Sequence, residues 1–229
     1  GKRLASEDET LAVMRHINDL KRKDSPYYFD EKEADIWIEQ ISMFRLVEGK
    51  LAGQLFPLQP FQAFIVAMIF GWKVRKTKKR RFNDAYIQVP KKNAKSTLMG
   101  AIIAAMFLLE GEGMGQYLFT ATNRKQAAIC FKVAKAMLAK YVAEYDIKEM
   151  VSMSKSHKAT NQTILHNENL SVIETASKEA DNIEGSHPSA AVADEYHLHK
   201  DDEVVNNTKS AMAGREQPLF LRITTPGNN

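Results

Sequence analysis

The stretch Ala85–Thr97, AYIQVPKKNAKST, decides how the rest of the chain is read. It starts as a short apolar run with strand character, Ala85 to Val89. It then crosses a proline and a basic loop, and ends on Lys95-Ser96-Thr97 ahead of the apolar run from Leu98 to Leu109. A strand feeding a short loop and then a helix is the setting in which backbone N–H groups and a helix N-terminus cradle phosphate. A lysine at the helix start can reach β and γ phosphates, and the serine after it can ligate Mg²⁺. The candidate nucleotide contacts are therefore Lys91, Lys92, Asn93, Ala94, Lys95, Ser96 and Thr97. The fit to a standard loop is imperfect, because Val89 and Ala94 stand where that loop has glycines. An ordinary basic loop before a Ser- or Thr-capped helix has the same local composition.

A second stretch bears on the choice. In SAAVADEYHLH, residues 189–199, small apolar residues run into two consecutive carboxylates, Asp194 and Glu195. A buried central strand would deliver both to its carboxyl end, where sites in open α/β sheets form. Asp194 would then hold the Mg²⁺ shell, and Glu195 would orient and deprotonate the attacking water. Lys95-Ser96 first and Asp194-Glu195 later, with strands between, is the order found in nucleoside triphosphatases with an inserted strand. His187, His197 and His199 invite a metal reading. No cysteine or further histidine completes a recognisable ligand spacing, so polar packing under a loop is expected instead.

From Asp84 onward, short apolar runs alternate with helical segments, which predicts a mostly parallel sheet flanked by helices. The expected strands are AYIQV, QYLFTA, a TILH and LSVIET pair, AAVA and LFLRIT. The expected helices run from Lys95 to Glu110, from Asn123 to Tyr141 with Ala127, Phe131, Ala134 and Leu138 on one face, and for a shorter span after Asp201. Residues 1–71 read as a helical subdomain and 72–229 as the core. Ser6 and Glu9 form a capping box before Leu11, Met14 and Ile17, and Asp30 starts a second helix with Ala34, Trp37, Ile41 and Phe44 inside.

With 229 residues and 44% hydrophobic content the chain can bury a sizeable core. Leu98 to Leu109 is too short to span a bilayer, which takes about 20 residues, and reads as a buried helix. No secretion signal is apparent at the start, and the single Cys130 cannot form an internal disulfide. Net charge is only +4, but Lys73 to Arg81, KVRKTKKRR, holds seven cations in nine residues. Lys78, Lys79, Arg80 and Arg81 are therefore candidate contacts to a phosphate backbone, against the plainer expectation of a solvated loop.

Taken in order, LQPFQAFIVAMIFGW, AYIQVPKKNAKST, TATNRKQA, EADNIEGSHPSAAVADEYHLHK and REQPLFLRITTPGN resemble the ATPase domain of tailed-phage terminase large subunits, over roughly residues 55 to 229. The resemblance implies an α/β P-loop fold of the additional-strand type with an N-terminal helical subdomain. It also implies ATP and Mg²⁺ as ligands, and translocation of double-stranded DNA into a procapsid. Gln62 matches the glutamine that reads adenine. Lys91 takes the basic position four residues before the phosphate-binding lysine, often arginine in the family, and lysine lacks the planar fork. Ala94 replaces a glycine, with less φ freedom. Thr224 and Thr225 match the motif that couples hydrolysis to DNA movement, although β-propensity and turn chemistry also explain them. Arg215, with Arg124 second, is the candidate arginine donated to a neighbouring subunit's site, against the plainer reading of a surface arginine. The implied partners are portal protein, procapsid, small terminase subunit and further copies in a ring of five, without a membrane, in the cytoplasm of the infected host. Family members continue into a nuclease domain, and no nuclease activity is expected of this stretch. A helicase-like ATPase and a nucleotide-regulated DNA-binding scaffold without turnover are the alternatives. The lack of later helicase motifs speaks against the first, and Glu195 against the second.

Overall fold

The computed structural model describes residues 6–121, 124–154, 163–177, 186–198 and 203–226, with backbone alone at 124, 125, 177, 203 and 204. The chain opens on three helices whose starts are written in the sequence. Ser6 caps α1 (Glu7–Lys21), its Oγ accepting from the Glu9 N–H at 3.1 Å, and three acidic residues fill the first turn. Asp30 caps α2 (Glu31–Ser42) through the Glu33 N–H at 3.1 Å. Pro60 opens α3 (Pro60–Gly71), and Gln62 Oε1 accepts from the Gln59 N–H at 2.9 Å.

Two short strands tie these helices down. β1 (Tyr27–Phe29) pairs antiparallel with β2 (Trp72–Val74), Phe29 opposite Trp72. Sequence patterning missed both, since each is three residues long and its partner lies far along the chain. Although Leu11 and Met14 are spaced as an inner face, both are exposed, and α1 buries no residue. It is held instead by the Asp19–Arg81 ion pair at 2.6 Å and by His16 Nδ1, which accepts from Trp72 Nε1–H at 3.2 Å.

The main sheet has seven strands: β3 (Asp84–Gln88), β4 (Gln116–Ala121), β5 (Val151–Met153), β6 (Ile164–His166), β7 (Val172–Ser177), β8 (Pro188–Ala193) and β9 (Leu219–Thr224). They lie in the order β3-β9-β8-β4-β7-β6-β5. The first five are mutually parallel, β6 runs antiparallel to β7, and β5 runs antiparallel to β6. β9, late in the chain, thus sits between β3 and β8 and brings their carboxyl ends to either side of its own. This is the α/β, mostly parallel architecture expected from the alternating runs. Every residue of β8 is buried, which accounts for its unbroken small apolar sequence.

Helix α4 (Lys95–Leu109) is buried from Leu98 through Phe107, so an apolar stretch of that length serves as the central core helix. It packs on α5 (Arg124–Glu144) at Gly100, where an added Cβ would lie 3.0 Å from Val133 Cγ1 and 3.1 Å from the Ala134 backbone nitrogen. One apolar core joins Trp37, Ile41, Phe44, Phe56, Val66 and Phe70 of the N-terminal helical part to α4, α5 and the sheet. On the other face, α6 (Glu203–Met212) packs Val205 and Met212 on Leu118, Ala191, Ala193 and Phe220.

The basic run needs correction. Arg80 is 5% exposed: its guanidinium pairs with Glu110, donates to the Gln217 carbonyl and faces the Phe70 ring at 5.7 Å. Arg81 joins Asp19 and lies over Tyr27 at 4.2 Å. Lys73 pairs with Glu33 at 2.8 Å. Arg80 and Arg81 fasten the N-terminal helices and the β2 turn to the core and are not presented to a DNA backbone. Lys78 and Lys79 stay nearer the surface, over Tyr28 at 4.8 Å and beside Glu216 at 3.1 Å.

Burial holds the Glu110 carboxyl above its ordinary range even though Arg80 pulls it down. Arg80→Met should therefore destabilise the fold by about 3–5 kcal/mol, because it leaves a buried carboxylate without its partner. A folded-state carboxyl pKa that is raised contributes stability at low pH, and that contribution is lost as pH rises through the raised value. The variant's deficit should accordingly shrink as pH falls toward the ordinary glutamate range. Denaturant midpoints measured across pH test both points.

Candidate functional site

The loop after β3 curls on itself and stays exposed to solvent. Val89 N–H still donates to the Thr224 carbonyl at 3.1 Å, so the loop leaves the sheet only after it. Asn93 Nδ2 donates back to the carbonyls of Pro90 and Lys91 at 3.1 and 3.3 Å, which curls the chain on itself. Two non-glycine residues take left-handed backbone, Lys92 (φ 68°) and Ala94 (φ 53°, ψ 35°). Such a conformation costs an L-residue about 1–2 kcal/mol, and strain of this kind is characteristic of functional loops. The glycine-like turn is therefore formed without the glycine. Ala94 is the N-cap of α4 with no side-chain cap bond, and the first turn holds no acidic residue. Its N–H groups and positive dipole end are left for an anion. Lys91 to Ala94 are exposed, and Lys95, Ser96 and Thr97 are half-buried.

Gln62, 2% exposed, lies behind this loop. Its Nε2 donates to the Asn93 carbonyl across a long 3.5 Å, while Oε1 is taken by Gln59 N–H. The glutamine is thereby linked to the phosphate loop.

Opposite the loop, β8 ends where Asp194 N–H donates to the Thr120 carbonyl at 3.0 Å. Asp194 is 6% exposed. Its Oδ1 accepts from Glu195 N–H at 2.8 Å and its Oδ2 from Cys130 S–H at 3.3 Å. Burial pushes the Asp194 carboxyl up, while the Cys130 and Glu195 hydrogen bonds and the Lys95 charge pull it back. The Cys130 thiol is itself driven well above its usual range by burial and by the Asp194 charge, with Ser96 pulling it partly back. Lys95, Ser96, Cys130 and Asp194 thus meet between α4, α5 and β8. The sequence identified three of them. It gave no sign of Cys130, which shares the buried face of α5 with ordinary core residues.

Glu195 follows in left-handed backbone (φ 48°), so its side chain departs from the direction of Asp194. Its Oε2 accepts from Thr225 Oγ1–H at 3.1 Å and lies 3.4 Å from His197 Nδ1. Thr224 and Thr225, 1% and 5% exposed, end β9 between the phosphate loop and the carboxylates. Of the expected coupling pair, Thr225 bonds Glu195 and Thr224 meets His197.

Other expected residues fall elsewhere. Arg215 follows α6 at the opposite end of the strands, donating to the carbonyls of His187 and Met114 at 2.6 and 3.0 Å and pairing with Glu112 at 2.9 Å. A guanidinium so engaged within its own chain is a latch between loops, a placement that argues against donation to a neighbour. Arg124 opens α5, and its side chain lies outside the described residues. His187 precedes β8 and His197 follows it, at the two ends of one strand, and His199 lies outside the described residues. Among the described residues, no three His, Cys, Asp or Glu side chains gather as a metal site, and no helix is long and apolar enough to cross a membrane.

Comparison with known proteins agrees with this geometry. The HK97 bacteriophage large terminase superposes with a TM-score of 0.68 at 23% identity, over 83% of this chain and 37% of its own. The ATPase domain of the Thermus phage P74-26 large terminase gives 0.51 at 13% identity, over 64% and 60%. These likenesses speak for the fold. Protein YmfN of Escherichia coli (strain K12) is 46% identical over 46 residues, 20% of this chain and 10% of that protein. The chain therefore spans well under half the length of both HK97 terminase and YmfN. A family model described as the terminase large subunit, ATPase domain, matches residues 60–229, most of the chain. With a phosphate loop on β3, paired carboxylates ending β8 and β9 inserted between them, the chain belongs to that family as its ATPase domain.

Proposed function

We propose that this domain hydrolyses ATP with Mg²⁺ and uses the cycle to move double-stranded DNA into a procapsid. The observation that carries the reading is the convergence of Lys95, Ser96 and Asp194 at the carboxyl ends of β3 and β8, with Glu195 beside the end of β9. Lys95 would meet the β and γ phosphates, with Lys91 and the backbone N–H groups of Lys92, Asn93 and Ala94 around them. Thr97 follows Ser96 in the first turn of α4, and Gln62 would sit toward the adenine. Glu195 would orient the attacking water and take its proton.

The residues present fit a divalent cation. Asp194 is a buried carboxylate, raised by desolvation and only partly offset by Cys130, the Glu195 N–H and Lys95, and it shares the neighbour Cys130 with Ser96. One carboxylate and one hydroxyl, completed by substrate phosphates and water, is the usual way proteins hold Mg²⁺. The ion, when bound, would neutralise charge on the β and γ oxygens. Thr224 and Thr225 would transmit the state of Glu195 along β9. In the assembled motor the partners proposed are a portal protein, a procapsid, a small terminase subunit and further copies in a five-membered ring, in the host cytoplasm.

The test is steady-state phosphate release. Hydrolysis should require Mg²⁺, vanish with EDTA and return on adding the metal in excess. Duplex DNA should raise the rate. Turnover that persists in EDTA would remove the metal assignment, and a rate indifferent to DNA in the assembled motor would remove the translocation reading.

A further inference from the structure

We propose that His197 is a positioning residue that holds the Glu195 carboxylate in register with the end of β9, an inference that rests on Glu195 acting on water. His197 belongs to the one-turn 3₁₀ helix Tyr196–Leu198 that follows Glu195. Its Nδ1 lies 2.8 Å from Thr224 Oγ1 and 3.4 Å from Glu195 Oε2, so one ring nitrogen touches both. Its backbone N–H also faces Thr224 Oγ1, at 3.4 Å. The Thr224 hydroxyl has a single hydrogen, directed at the Thr225 carbonyl at 3.3 Å. With that hydrogen on the Thr225 carbonyl, the Nδ1–H tautomer satisfies the 2.8 Å contact and turns the same N–H toward Glu195 Oε2, and it is the tautomer the proposal adopts.

This bridge meets a specific need. Glu195 sits in left-handed backbone, so its carboxylate direction is not fixed by a regular strand end. Thr225 Oγ1–H holds Oε2 from the β9 side, and His197 holds the same oxygen from the far side while gripping Thr224. Glu195 cannot swing toward a γ phosphate without changing its contact with His197 or Thr225. Those two residues therefore couple carboxylate direction to the end of β9. The histidine is half-exposed, with 42% of its side chain accessible, so removing it opens no core cavity.

The experiment compares His197→Ala, His197→Asn and His197→Gln in the full chain. An asparagine amide reaches the place of Nδ1, and a glutamine amide the place of Nε2. His197→Ala should lower kcat roughly tenfold with KM for ATP unchanged, the scale of one lost orienting hydrogen bond. His197→Asn should recover most of that loss and His197→Gln little of it. The Ala effect should be absent in a Thr224→Val background, because the two residues act through one contact. Glu195→Gln is run alongside. If Glu195→Gln is inactive while His197→Ala turns over like the wild type, the positioning role is wrong and the water-activation reading stands. If Glu195→Gln is itself active, that reading fails first. Equal loss in the Asn and Gln variants, or a matching rise in KM, would also overturn the proposal.

Discussion

Glu195→Gln is expected to lower the turnover number for ATP by at least about 10²-fold, the usual weight of a positioned general base, while nucleotide binding is kept. Several features of the site lead to this split. The Glu195 carboxylate is held by Thr225 and His197. Glutamine keeps the shape and can still bond Thr225, so the fold and the phosphate contacts survive. What it cannot do is take a proton. Binding of a fluorescent ATP analogue together with single-turnover phosphate release separates the two effects. Wild-type turnover in the variant would mean that another group orients the water.

Lys95→Ala has the second large expected effect and the opposite signature. An ammonium at the first residue of α4, beside an uncapped helix N-terminus, supplies charge-assisted bonds to two phosphates. Its loss should weaken nucleotide affinity roughly 10–100-fold and slow hydrolysis further, because charge on the transferred phosphoryl group grows in the transition state. Asp194 would also lose the nearby cation that lowers its pKa, and its carboxyl should move further up. A higher Mg²⁺ requirement should therefore accompany weakened ATP binding. Unchanged affinity together with an unchanged rate would remove the phosphate-loop assignment.

Much of this was legible in the sequence, for local physical reasons. QYLFTA and LFLRIT are strands β4 and β9 residue for residue, since a buried parallel strand is mostly apolar and β-prone, and both runs are. Lys95 begins α4 as expected, and Asp194 and Glu195 directly follow β8, because small residues suit a strand with neighbours on both sides and helices on both faces. Long-range pairing was not legible. β5, β1 and β2 are three residues each, too short for a period, and their partners alone define them.

The basic run was misread for a related reason. Its charge density is visible, but Glu110, Gln217 and Asp19, which engage Arg80 and Arg81, lie roughly 30 to 140 residues away. Arg215 misleads in the same manner, as its acceptors at Glu112, Met114 and His187 come together only in the fold. Cys130 reads only as a thiol without a disulfide partner, and His197, weighed with His187 and His199 as a metal ligand, reads as polar packing under a loop, because neither residue's spacing points to a partner. Their roles follow from distances to Asp194, Thr224 and Glu195.

A crystal structure of this chain with Mg²⁺ and a slowly hydrolysed ATP analogue tests the central claim most directly. The account predicts β and γ phosphates against the loop 91–97 with Lys95 Nζ on their oxygens. It also has Ser96 and Asp194 hold the metal, and puts Glu195 within hydrogen-bond reach of a water facing the γ phosphorus. A nucleotide bound elsewhere, or phosphates in the loop with Asp194 and Glu195 turned away from them, would contradict it.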